Sequence, residues 1–448
     1  MKIMIENVGL QAVASEEKTR GALNLFWVWF SGNLGILGVL FGAMIVSFSL
    51  SFWEAVIVAL IGSLSFFLVG ILSIAGRDAG QPMMALSARV FGVRGNKLMA
   101  LINWINLLGW EAVAVLTGTF TLQAVFERVI PIRSEWILVL YGVVFLAIFL
   151  ILSLYGYHLV VRTQKLIGYV FGILTLVVLI ALISHHTAFT PFTVKSSSAW
   201  WQGGLAAISF IIAGTSISWA MASSDYSRYL SRKVSTRSIL FAVTLGGGIP
   251  LFALVLTGIL LAYSAPQVLA SNNPIQALST LLPVWMQIPY LIVVIVGLLA
   301  EAVLGFYSSG FSLLALGVRA PRPRTAWIDF AVSLMVLIYG LFHSAQFLGL
   351  LEGFLSLMGV GLAAWAGVFL VDEWKRHSIT KDFSNRFHWS ALMAWGLATC
   401  VGLIFTSSPF FTGPFAKGIF ALSNLGVLLA LLLGGAVYYF LKLERGAA

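Results

Sequence analysis

Apolar residues along this chain gather into twelve long blocks parted by short polar segments. The blocks cover residues 24–50, 53–76, 97–126, 135–155, 162–184, 200–222, 237–264, 286–317, 326–345, 347–371, 389–406 and 413–441. Most are near or above the roughly 20 residues that cross a bilayer core as a helix. None shows the period of two that marks a membrane barrel. Several exceed 25 residues, a length that admits a tilted or broken helix. The pattern predicts an all-α polytopic membrane protein with twelve transmembrane helices and no soluble domain.

Composition points the same way. The chain is 60% hydrophobic and 9% charged, whereas soluble domains carry about 25% charged residues. The one cysteine, Cys400, leaves no disulfide framework and no Cys-based metal site within the chain. Residues 1–23 are mixed in charge and lack the apolar core of a signal peptide. They are expected to form a cytoplasmic segment.

Charge then fixes an orientation. With the N-terminus inside, 22 of the 26 Lys and Arg fall in inside segments; only Arg128, Arg133, Lys195 and Lys417 fall outside. This asymmetry predicts both termini in the cytoplasm of a plasma-membrane protein. It also accounts for the net charge of +10 without nucleic acid as a partner.

Polar interruptions within the blocks carry the candidate chemistry. The first block reads WFSGNLGILGVLFGA, with Gly32, Gly35, Gly38, Gly42 and Asn33. The sixth reads ISFIIAGTSISWAMA, with Gly214, Thr215, Ser216 and Ser218 at its centre. Gly and Ser weaken a helix, although small residues also allow close helix packing. The two blocks hold matching places in two five-span units, 24–184 and 200–371. Weak centres so placed point to inverted repeats with discontinuous first and sixth helices and a binding site between them. Residues 389–441 would add two further helices.

Two carboxylates, Glu111 and Glu301, lie deep in apolar blocks; Glu54, Asp78, Glu127, Asp225, Asp329, Glu352 and Asp372 read as loop or span-end residues. A charge at a helix centre costs about 2.5–3.5 kcal/mol and usually marks an ion, proton or substrate path. A carboxyl group taken out of water also holds a proton more readily. No HExxH, no Ser/His/Asp spacing and no Gly-rich phosphate loop is present, so no enzyme is expected.

Three pieces together, WFSGNLG in the first block, SARVFGVRG before the third and SSDYSRYL after the sixth, resemble the nucleobase–cation symport family of purine-cytosine permeases. The resemblance covers essentially the whole chain. It implies a leucine-transporter-like fold of five plus five inverted helices with two more, and uptake of a nucleobase or related small heterocycle with a cation. It further implies that Trp110 and Trp219 sandwich the flat substrate, since stacking on indole suits any heterocycle. Glu111, Asn33, Gly214, Ser216 and Ser218 would complete the substrate site. Ala114 stands where many family members have an amide, which leaves the substrate's identity open.

Trp27, Trp29, Trp200 and Trp201, near block ends, read as interfacial anchors. Coupling is assigned to a proton carried by Glu301. The alternative is sodium held near Ser31, Leu34 and Glu301; no cofactor or resident metal is expected. Asp225, Arg228 and Tyr229 are assigned to an inner gate, and the protein is expected to be a monomer or weak oligomer. Three alternatives stay open: a cationic heterocycle or vitamin precursor as substrate, sodium-coupled uptake of a hydantoin- or allantoin-like compound, and a passive channel.

Overall fold

The computed structural model describes residues 6–127, 135–186, 200–265, 271, 274–343, 347–375, 387–421 and 424–444. The first span is α1 (Ala22–Gly32) and α2 (Leu37–Val46), bent by 64° at their junction. The second is α3 (Phe52–Leu64) with α4 (Phe66–Ala79). Then come α5 (Met83–Phe126), α6 (Glu135–Leu154), α7 (Tyr157–His186) and α8 (Trp200–Ile212). Next are α9 (Thr236–Ser264), α10 (Val284–Leu316), α11 (Arg322–His343) and α12 (Phe347–Lys375). The chain closes with α13 (Trp389–Ile404) and α14 (Gly426–Glu444). Among the described residues nine helices are long and apolar enough to cross a membrane, or ten with the bent pair taken as one span. Two shorter apolar helices follow.

The glycines of the first span divide into two uses. A β-carbon on Gly42 would stand 2.0 Å from the Val255 carbonyl oxygen, and one on Gly258 1.9 Å from that of Val39. These two glycines let α2 and α9 cross backbone to backbone. Gly32 and Gly35 instead bring the bend against α10: a β-carbon would meet Leu304 at 2.6 Å and the Glu301 carboxylate at 2.9 Å respectively. The bend is therefore placed where it touches the acid.

The sixth span departs from expectation. The GTSIS stretch is not broken; Ala213–Ile217 is wound as a π turn, and helix continues to Ala220. Ser218 Oγ donates to the Ala213 carbonyl at 2.6 Å across this wider turn. The chain changes direction only at Met221 and Ala222, before a short helix Ser223–Ser227.

The last block also differs. Helix α14 starts at Gly426, and residues just before it form a small hairpin, β1 (Ser407–Ser408) against β2 (Phe411–Thr412). Pro409 and Pro414 lack the amide protons a helix needs there.

Within α5, Gly92 at φ 75° separates an N-terminal piece from the long helix that carries Glu111. Helix α5 packs along α10. They carry Glu111 and Glu301.

Candidate functional site

A small cavity lies at this contact, lined by Leu107, Trp110, Glu111, Ser218, Trp219, Glu301, Ala302 and Gly305. Each wall has a local cause. Glu111 packs on Gly305, whose β-carbon position lies 3.7 Å from its side chain, ordinary contact distance. Trp110 is held edge-on by Phe41 and Phe354, with centroids 6.2 and 6.0 Å away. Trp219 is held edge-on by Trp29 at 5.6 Å. The two cavity indoles make no ring contact with each other.

The unspent polar groups in this cavity are few. Trp110 Nε1 and Glu111 Oε1 are buried and have no hydrogen-bond partner among the described residues. Glu111 Oε2 accepts from Ser333 Oγ at 3.2 Å. Ser218 Oγ is committed to Ala213. Among the described residues no Lys or Arg lines the cavity. The arrangement offers two ring faces, one N–H donor and two carboxyl groups, which suits a flat ligand rich in hydrogen-bond donors.

Five of the residues chosen from sequence thus converge: Trp110, Glu111, Ser218, Trp219 and Glu301. Three lie outside the lining. Asn33 Nδ2 donates to the Trp29 carbonyl at 2.8 Å and closes the end of α1. Gly214 packs toward Phe41 and Leu355. Ser216 Oγ accepts from Ser65 Oγ at 2.7 Å. Ala114, one turn beyond Trp110, is buried and supplies no polar group. Trp29, expected at an interface, is fully buried behind Trp219, because α1 runs inside the bundle.

The bend of the first span forms a second polar locus. Ser31 Oγ is bonded to Gln164 and donates to the Trp27 carbonyl at 2.7 Å. Gln164 Nε2 donates to the Ala300 carbonyl at 2.7 Å. The Leu34 carbonyl oxygen lies 2.9 Å from where Gly297 would carry a β-carbon. Gln164 therefore ties α1 to α10 next to Glu301, with the Ser31 hydroxyl already occupied. The Glu301 carboxylate itself has no hydrogen-bond partner among the described residues.

Sequence reasoning missed four buried polar residues around these loci. Asn106 Nδ2 donates to the Ser218 carbonyl at 3.0 Å, and Asn103 Nδ2 to that of Met221 at 3.3 Å. Both hold the end of the sixth span. Gln164 is the third. Asp329, expected at a span end, is fully buried, because α11 begins at Arg322 and places it two turns in.

At the end of the molecule that carries Arg228, residues 6–20 strap the helices together. Arg228 is fully buried, ion-paired with Glu6, and donates to the Gly9 carbonyl at 3.0 Å and Tyr307 Oη at 3.2 Å. Tyr229 and Tyr307 donate to Glu6 Oε1 at 2.7 and 3.1 Å. Glu6 Oε2 accepts the Tyr157 amide at 2.6 Å, and Asp225 Oδ1 the Met83 amide at 2.8 Å. Each acid caps the start of a helix, α7 and α5, where the dipole favours negative charge. The Arg228 guanidinium holds Glu6 below the usual carboxylate range, although burial opposes it. Burial pushes the Asp225 carboxyl up to about 7, against the Met83 amide, Arg228 and Arg322.

A bent first span, a π-wound sixth span and an aromatic cavity between packed helices define a multi-pass membrane transporter. The chain belongs to the family described as permease for cytosine/purines, uracil, thiamine, allantoin, whose model matches residues 12–426. It is 24% identical to YxlA of Bacillus subtilis, a protein named for the purine-cytosine permeases, over 98% of this chain and 96% of the relative. It is 23% identical to the purine-cytosine permease fcyB of Emericella nidulans, over 93% of this chain and 84% of that one. Among solved structures, the nucleobase-cation-symport-1 transporter Mhp1, closed with bromovinylhydantoin bound, matches with a TM-score of 0.79 at 16% identity. That match covers 100% of this chain and 96% of the other.

Proposed function

We propose that the protein imports a nucleobase or related small heterocycle across the cell membrane by proton symport. The observation that carries this reading is the single cavity joining Trp110, Trp219, Glu111 and Glu301. The indoles take the ring faces, and Trp110 Nε1 and Glu111 take its polar edge. Glu301, beside the bend, carries the proton. In proteoliposomes, an inward proton gradient should concentrate labelled cytosine, and a protonophore should abolish this. Equilibration to equal concentrations on both sides would indicate a passive channel instead.

A second reading, a cationic heterocycle as substrate, is favoured by two carboxyl groups and the absence of a basic side chain in the lining. Competition in the same vesicles separates the two. A cationic ring that displaces cytosine at tenfold lower concentration would establish the second reading.

The end that carries Arg228 serves as the inner gate, closed by Glu6 on Arg228 and Tyr229 and by Asp225 on Met83. An Asp225 exposed to water would return to about 4, whereas the closed gate holds its proton up to about 7. The closed state is therefore favoured below about pH 4 and loses that advantage as pH rises to about 7. Amide exchange in residues 223–230, corrected for intrinsic rate, should quicken between pH 5 and 7 and level off above. Asp225→Asn should flatten the profile. A wild-type profile already flat from pH 5 to 7 would count against Asp225 as a gate group.

A further inference from the structure

Behind the cavity lies an acid that the transport mechanism has not yet used. Asp329 on α11 is fully buried, with Trp104 Nε1 of α5 donating to Oδ1 at 2.6 Å and Ser309 of α10 bonded to Oδ2. Ser333, one turn further along α11, donates to Glu111. Asp329 thus lies one helical turn, about 6 Å along the α11 axis, from the serine that holds Glu111, and the two acids feel each other's charge. Neither is ion-paired among the described residues. The charged and titratable groups facing the pair are Glu301 across the cavity from Glu111, Arg322, two turns before Asp329 on α11, and Tyr226 beside α10. Two uncompensated carboxylates in a membrane interior are costly together, so the pair is suited to hold one proton between them. Glu111 offers the open end: Oε1 is buried, unpartnered and on the cavity wall.

We propose that Glu111 and Asp329 form a proton relay that takes the coupling proton from the cavity and releases it along the α10–α11 seam toward Arg322. The relay rests on the proton-symport reading. In each transfer an O–H bond at one carboxyl group breaks as one forms at the next, directly or through a bridging water or hydroxyl, and no other reactant is consumed. It assigns Glu301 to proton entry beside the bend and Asp329 to proton exit at the end that carries Arg228.

The test uses the full chain in proteoliposomes, with labelled cytosine uptake and an internal pH dye read together. Asp329→Asn should bind cytosine within about threefold of wild type and exchange it across the membrane. It should lose gradient-driven accumulation and cytosine-evoked acidification. Should Asp329→Asn fail to fold, Ser309→Ala strips one donor and keeps the acid; it should move the pH midpoint of accumulation by at least half a unit. Wild-type accumulation in Asp329→Asn, or an unmoved midpoint in Ser309→Ala, would overturn the relay alone. A wild-type protein that fails to accumulate cytosine on a proton gradient would overturn the symport reading and the relay with it.

Discussion

Glu301→Gln is expected to bind cytosine and exchange it across the membrane, yet to lose all accumulation driven by a proton gradient. Glutamine keeps the size and one acceptor of glutamate but cannot take up and release a proton. One proton per substrate and one unit of pH difference supply about 1.4 kcal/mol, enough for roughly tenfold accumulation. The variant should therefore fall from about tenfold to equal concentrations. The position explains the size of the effect. The Glu301 carboxylate lies against Gly35 at the bend of the first span and also lines the cavity. It therefore touches both the bend and the cavity. Retained tenfold accumulation in Glu301→Gln would remove it from the coupling role. Accumulation that follows a sodium gradient in wild type, and is lost in this variant, would assign it to the sodium alternative near Ser31 and Leu34.

The fold was legible because length and hydropathy suffice for spans, and the central residues of each block are those a bilayer selects. Chemistry at block centres was equally legible: Trp110, Glu111 and Glu301 stand out against apolar neighbours and meet in one cavity. What stayed hidden lay at block edges. Helix α7 begins at Tyr157 and α11 at Arg322, both several residues before hydropathy rises. Gln164 sits between Arg162 and Lys165 in sequence, at the charged start of the fifth block. On the helix it turns inward, fully buried, while Arg162 turns outward. Asp329 was hidden the same way. Both lie in the first turn of their blocks, where neighbouring polar residues disguise an inward-facing side chain. The strap is a different case. Nothing in the mixed charge of residues 6–20 says that Glu6 meets Arg228, 222 positions away; only the closed bundle does.

The aromatic prediction follows from the cavity walls. Trp110→Ala should weaken cytosine binding by roughly 5- to 150-fold, the equivalent of the 1–3 kcal/mol that base stacking on an aromatic ring contributes. Trp110→Phe keeps a ring face and should recover most of the loss, while the indole N–H, free in the cavity, is gone. Any deficit left in the phenylalanine variant then measures the hydrogen bond to the substrate's edge. Trp29→Phe serves as the control for packing: Trp29 supports Trp219 edge-on but does not line the cavity, so its effect should stay within about threefold. Equilibrium binding to detergent-purified protein reads all three without dependence on coupling. If Trp110→Ala bound cytosine as wild type does, the ring would be only a wall of the bundle. The substrate would then have to lie elsewhere, and the two carboxyl groups would lose their reason to face the same space.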